Sequence, residues 1–99
     1  MAGLLARLRS EIETRQQVDG VTAADLLELS PELCDLIRTI ARGREMDLAE
    51  IAAELGARPE EARDLLDAMV EKGYLQVLEA DGKRRYKASF IHTQQISAP

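Results

Sequence analysis

Four carboxylates recur at Glu60, Asp64, Asp67 and Glu71. At ~100° per helical residue they fall within about 60° of one another, so one helix carries all four on one face. Paired carboxylates such as Glu60 and Asp64 are the raw material of general acid–base chemistry. That chemistry needs a pocket that perturbs pKa values, and an exposed helix in a 99-residue chain offers little concavity. No other group completes a catalytic set. There is no Gly-rich phosphate loop, nucleophile elbow, HExxH or Cys/His pair. One Cys (Cys34) and one His (His92) cannot build a clustered metal site within one chain. Cys34 lies at the edge of an apolar stripe and reads as a small buried hydrophobe. A redox thiol wants positive neighbours, and Glu32 and Asp35 flank this one. The sequence therefore predicts a protein that is not an enzyme, with no cofactor, metal or small-molecule site.

A second charged set has the opposite sign. Lys83, Arg84, Arg85 and Lys87 lie in a segment, residues 83–99, without Asp or Glu. Residues 1–82 hold 9 basic and 18 acidic side chains, a net of −9 within a total of −5. A duplex-binding domain usually shows a basic footprint, and here only residues 83–87 supply one. Those cations serve either to blunt an edge strand or to contact phosphates. Aromatics make up 3% of the chain, which leaves little to stack on bases.

The elements that position these groups follow from periodicity and punctuation. Residues 3–17 read as an amphipathic helix with Leu4, Leu8 and Ile12 on one side and Leu5 beside them. Val18-Asp19-Gly20 breaks it. Thr22 and Asp25 form a capping-box pair before Leu26, Leu27 and Leu29. Ser30 is expected to cap a third helix with Pro31 at its first position. Its apolar residues are 33, 36, 37, 40 and 41, and Gly43 ends it. A fourth helix opens at Asp47 with Glu50 three residues on. It buries Leu48, Ile51, Ala52 and Leu55, and stops at Gly56. A fifth opens at Pro59 with Glu60 and Glu61 at the positive end of the helix dipole. It buries Ala62, Leu65, Leu66, Met69 and Val70 and ends at Gly73. The period then changes to that of strands. Residues 74–78 are β-prone, Tyr86, Ala88 and Phe90 alternate with polar residues, and Asp81-Gly82 makes a hairpin turn.

Length predicts one domain. The single cysteine rules out an intrachain disulfide framework. No apolar run is long enough to insert in a membrane, and the first residues lack a signal-peptide pattern. A cytoplasmic protein is expected.

From Leu33 to Phe90 the chain resembles the winged helix-turn-helix superfamily. The residues that carry the resemblance are Leu48-Ala49-Glu50-Ile51-Ala52-Ala53-Glu54-Leu55-Gly56, Ala62 to Val70, and Glu71-Lys72-Gly73-Tyr74-Leu75. The last run, leading into a strand, is similar to bacterial regulators of the broad MarR and ArsR type. The implied fold is mostly α with a small β-hairpin: a winged helix-turn-helix domain with additional N-terminal helices. Residues 1–19 would be a packing or dimer arm, 20–92 the winged-helix domain and 93–99 a flexible tail. By position, the resemblance makes the helix at 59–72 a recognition helix and the loop at 80–84 a wing. Arg58, Arg63, Lys83, Arg84, Arg85 and Lys87 would then touch DNA.

This chain departs from that pattern on the helix itself. Glu60, Asp64, Asp67 and Glu71 oppose the apolar stripe and point outward, and carboxylates on a reading helix work against the electrostatic attraction that supplies much of DNA affinity. At these distances salt does not screen them. Two functions stay open. One is a protein-interaction or adaptor module that engages a protein partner or a second copy of itself. Its interface residues would be Leu4, Leu8, Ile12, Glu60, Asp64, Asp67 and Glu71. The other is a dimeric DNA-binding transcriptional regulator that uses Arg58, Arg63 and the basic wing. Leu4, Leu8 and Ile12 either pack on their own domain or form a seam between two copies.

Overall fold

A computed structural model describes residues 3–90 of the chain. Its order is α1 (Gly3–Glu13), α2 (Ala23–Glu28), α3 (Pro31–Gly43), β1 (Met46–Asp47), α4 (Leu48–Leu55), α5 (Pro59–Glu71), β2 (Leu75–Ala80) and β3 (Lys83–Ala88). The fold is mostly helical with one small antiparallel sheet, as the periodicity predicts. His92 and the tail expected at 93–99 lie outside the described residues.

The local stop and start signals act as expected at most positions. Thr22 and Asp25 exchange both capping-box bonds at the start of α2, and Asp47 and Glu50 do the same for α4. Gly56 takes the left-handed conformation that ends α4. Asp81 and Gly82 both adopt positive φ, 53° and 74°, which matches the twist of a two-residue hairpin. Two expectations are corrected. Helix α1 stops at Glu13, short of residue 17. Ser30 stands at the N-cap of α3, but its hydroxyl makes no cap bond and is buried without a partner. Its amide instead donates to Glu11 Oε2 at 2.8 Å, which ties α1 to the start of α3. At its other end α3 stops at Gly43 as expected, and Arg44 just beyond it takes a positive φ of 66°.

The sheet has three strands in the order β1-β3-β2. Met46 pairs with Tyr86 and Asp47 with Arg85, and on the other side Val77 pairs with Tyr86 and Leu78 with Arg85. The strand that carries the cations is thus central over Arg85 and Tyr86. Edge protection does not account for Arg85, because both its neighbours are strands. Phe90, expected to continue the buried alternation, is 36% exposed and bridges Val21 instead.

The core gathers Leu5, Leu8 and Ile12 of α1, Leu33, Leu36, Ile37 and Ile40 of α3, Ile51 of α4, Leu65, Leu66 and Met69 of α5, and Tyr74, Leu75 and Tyr86 of the sheet. Helix α1 lies against α5. Leu8 and Ile12 are fully buried there, each adding about 1.5–3 kcal/mol of apolar burial. They pack on their own domain, so neither is free to form a seam between copies.

The linker from α1 to α2 is pinned across the α5–β2 junction. The Val18 amide donates to the Lys72 carbonyl, and Lys72 Nζ donates to the Arg15 carbonyl, each at 2.8 Å. Val21 then donates to the Ser89 carbonyl, extending the sheet by one residue. This route requires Gly73. Its φ is +90°, and a Cβ there would sit 1.7 Å from the Val18 carbonyl oxygen.

Candidate interaction surfaces

Helix α5 turns Ala62, Leu65, Leu66, Ala68 and Met69 inward, which forces its carboxylates outward. Glu60, Asp64, Asp67 and Glu71 are all exposed. The helix begins with Pro59 in the first turn, and Glu61 accepts from the Arg58 amide at 3.4 Å. Beside it lies a shallow hollow of about 640 Å³ lined by Leu48, Pro59, Glu60, Arg63, Asp64 and Asp67. Three carboxylates and one cation face that space. Asp64 lies 3.8 Å from Arg9 of α1, and Asp67 lies 4.0 Å from Arg63 one turn away. Exposed pairs at these distances contribute ~1 kcal/mol or less, so they trim the negative field of the helix without cancelling it. Among the described residues, Glu60 and Glu71 take part in no ion pair.

The hairpin carries the opposite charge. Lys83, Arg84 and Lys87 are exposed and Arg85 is half-buried opposite Asp47 and Leu78. Arg84 stands across from Glu79 in the ladder, 3.5 Å from its carboxylate. Its guanidinium pKa is held above the ordinary value, first by the Tyr86 side chain and then by the charges of Glu79 and Asp67. Asp67 therefore lies within electrostatic reach of Arg84. Arg58 and Arg63, the other two cations of the DNA-contacting set, are exposed at the start and along the side of α5.

Apolar exposure is concentrated in few residues. Of the Leu26, Leu27 and Leu29 group, Leu29 is buried, Leu26 half-buried and Leu27 88% exposed. Leu4 is 40% exposed, unlike Leu8 and Ile12 on the same helix. Residue typing alone groups these three leucines, of which α2 holds two and Leu29 is its C-cap. Helical spacing separates the first two, because Leu27 lies ~100° round from Leu26, and the extended backbone at Leu29 turns that side chain into the core.

Two further features had no signal in the sequence. A cleft of about 480 Å³ is lined by Ala41 of α3, Gln76 of β2 and Lys87 of β3, with Arg44 and Phe90 from just beyond α3 and β3. Its walls are distant in sequence, so no spacing announces it. Cys34 is half-buried, and its thiol donates to the Leu26 carbonyl at 2.9 Å, fastening α2 to α3. Among the described residues, no group of three or more His, Cys, Asp or Glu is placed to hold a metal ion. No helix there is long and apolar enough to cross a membrane.

The model of the O-methyltransferase dimerisation domain family matches residues 18–91. This is most of the chain, and the chain belongs to that family. The match starts at Val18, where the linker docks on Gly73. Neither a curated protein nor a solved structure matched the chain. The helix, turn, helix and hairpin of the regulator resemblance are present in the fold, but the matched family is named for methyltransferases and dimerisation.

Proposed function

We propose that this member of the O-methyltransferase dimerisation domain family is a non-enzymatic self-association module, in which a winged-helix arrangement serves as scaffold and not as a DNA reader. The family match over residues 18–91 supports pairing of two copies. The observation that carries the assignment to this surface is Leu27, 88% exposed on α2 beside the half-buried Leu26 and ahead of the buried Leu29 that follows the helix. A leucine left in water on a fixed helix is a natural centre for an isologous contact, in which the same patch of both copies meets across a two-fold axis. Leu4 adds to the apolar exposure of the N-terminal helices.

Sedimentation equilibrium tests this. The parent protein is expected to reach twice the chain mass, and Leu27→Glu to reduce it to one, with an unchanged circular dichroism spectrum. A parent that stays at one chain mass at every concentration refutes the proposal. A Leu27→Glu protein that dimerises like the parent removes Leu27 from the interface.

The DNA-binding alternative is favoured by one observation, the exposed cations of the wing. It predicts duplex affinity at low salt that falls steeply as counterions are released, with a shallower slope after Arg84→Ala and Arg85→Ala. The outward carboxylates of α5 count against it.

A further inference from the structure

The ladder between β1 and β3 stops early, and a cleft opens where it stops. Met46 pairs with Tyr86 and Asp47 with Arg85, and the same register continued would set Glu45 opposite Lys87 and Arg44 opposite Ala88. The chain turns away instead. Arg44 has φ 66° and ψ −66°, and the Glu45 amide donates to the Gly43 carbonyl at 2.7 Å. This is a γ-turn of the strained hand, rare at a residue with a side chain. Met46 holds the turn in place, because its side chain covers Gly43 so closely that a Cβ there would lie 2.8 Å from the Met46 sulfur. Residues 44–45 then form one wall of the cleft of about 480 Å³, and Lys87 to Phe90 form another. Backbone strain of this kind persists where its surroundings enforce it, and it gathers at ligand sites.

We infer that this cleft binds a small planar molecule with a single carboxylate, its charge held by Arg44 and Lys87 and its flat body against Phe90. The inference stands apart from the self-association proposed above, and it revises the sequence expectation that no small-molecule site exists. The volume lies within the range of small-ligand sites. Charge narrows the class of ligand. Among the described residues that line the cleft, Arg44 and Lys87 are cations and Glu45 is the one carboxylate, which leaves a surplus of one positive charge. Just outside it, Arg85 and Asp47 stand opposite each other in the ladder and offset one another. Arg44, Glu45 and Lys87 take part in no ion pair among the described residues. One surplus cation suits a monoanion, whereas a polyphosphate would meet Glu45 with too few cations to balance it. The guanidinium fork matches a carboxylate in particular. Phe90, 36% exposed, offers ring surface for an offset or edge contact. Gln76, opposite Lys87 in the ladder, adds an amide donor and acceptor.

Naphthoate is the probe, titrated into the full chain and followed in amide proton–nitrogen NMR spectra. Saturable shifts are expected at Arg44, Gln76, Lys87 and Phe90. Naphthamide keeps the rings and loses the charge, and it should bind about tenfold more weakly or worse, as the loss of a charge-assisted bond predicts. Acetate keeps the charge and loses the rings, and it should also bind about tenfold more weakly or worse, for want of apolar contact. Arg44→Ala and Lys87→Ala, both at exposed positions, should each raise the naphthoate Kd by about tenfold. Naphthoate that gives no saturable shifts at these amides overturns the inference, and so do shifts centred on another surface. Naphthamide that binds as tightly as naphthoate removes the carboxylate contact, acetate that does so removes the flat body, and either result overturns the inference. Folded variants that bind like the parent overturn it as well. Should a variant unfold, the three probes compared on the parent decide.

Discussion

Arg15 and Tyr74, 59 residues apart, are joined by a hydrogen bond from the guanidinium Nε to the phenol oxygen. Tyr74 is otherwise fully buried, and this contact satisfies the polar tip of its ring. A second guanidinium nitrogen of Arg15 reaches Glu28 at 3.0 Å and Asp25 at 3.7 Å. Burial disfavours the charge of Arg15, but the bonds to Tyr74 and Glu28 outweigh it, and the pKa is raised. One side chain thus links the segment after α1 to α2 and to the start of the sheet.

Arg15→Ala should leave the Tyr74 hydroxyl buried without a partner, at a cost of about 1–3 kcal/mol. Tyr74→Phe removes the hydroxyl itself and leaves Arg15 its carboxylates, so it should cost less, about 0.5–1.5 kcal/mol. The double variant should cost less than the sum. Urea unfolding of the four proteins checks the cycle, and strict additivity would show that the contact contributes nothing to stability.

Gly73 and Gly82 make a controlled comparison. Both have positive φ, 90° and 74°, but a Cβ at Gly82 meets nothing within 4 Å whereas one at Gly73 meets Val18 backbone at 1.7 Å. Gly82→Ala should cost about 1–2 kcal/mol from conformation alone. Gly73→Ala adds displacement of the linker and should cost more than about 3 kcal/mol. Equal melting temperatures for the two variants would contradict the packing of Val18 on Gly73.

The two ends of α1 should respond differently. Leu8 is fully buried, so Leu8→Ala should cost about 2–5 kcal/mol. Leu4 is 40% exposed, so Leu4→Ala should stay within about 1 kcal/mol. Denaturant midpoints report both, and a mild Leu8→Ala would mean that α1 is an arm and not part of the core.

Glu32 supplies a pH test. Its pKa is lowered, first by hydrogen bonding to its own backbone amide in the first turn of α3 and then by Arg7 at 3.1 Å. A carboxylate depressed in the folded state stabilises the fold above its ordinary pKa, and that stabilisation is lost as pH falls through the folded value. The stability gap between the parent and Glu32→Gln should therefore close on acidification. Arg7→Ala should move the Glu32 titration upward in an NMR pH series. An unmoved titration would remove Arg7 as a cause.

The elements themselves were largely legible because their signals are local. Thr22 with Asp25, Asp47 with Glu50, Pro31, Pro59, Gly56 and Asp81-Gly82 each act within a turn of chain, and the structure uses each one. The core positions of α3 and α5 follow from a period that one helix enforces alone. The outward set of carboxylates on α5 follows from the same period, since residues opposite a buried stripe must face away.

Strand β1 illustrates what was not legible. Two residues have no period, and Met46-Asp47 becomes a strand only because Tyr86 and Arg85 arrive to pair with it. Leu8 and Ile12 read equally well as core or seam until α5 is placed beside them. Gly73 announces a helix end in sequence, and its contact with Val18 is unwritten there because the two lie far apart along the chain.

By itself, the order of residues in this protein determined its helices, its hairpin and the sign of charge on each. Tertiary structure alone decided that the basic strand is central, that α1 belongs to the core, that Leu27 is left in water, and that Arg9 of α1 comes to face Asp64 of α5. The physical reason is range. Caps and periods are settled within a few residues, whereas burial and charge adjacency depend on which distant segments share the same space.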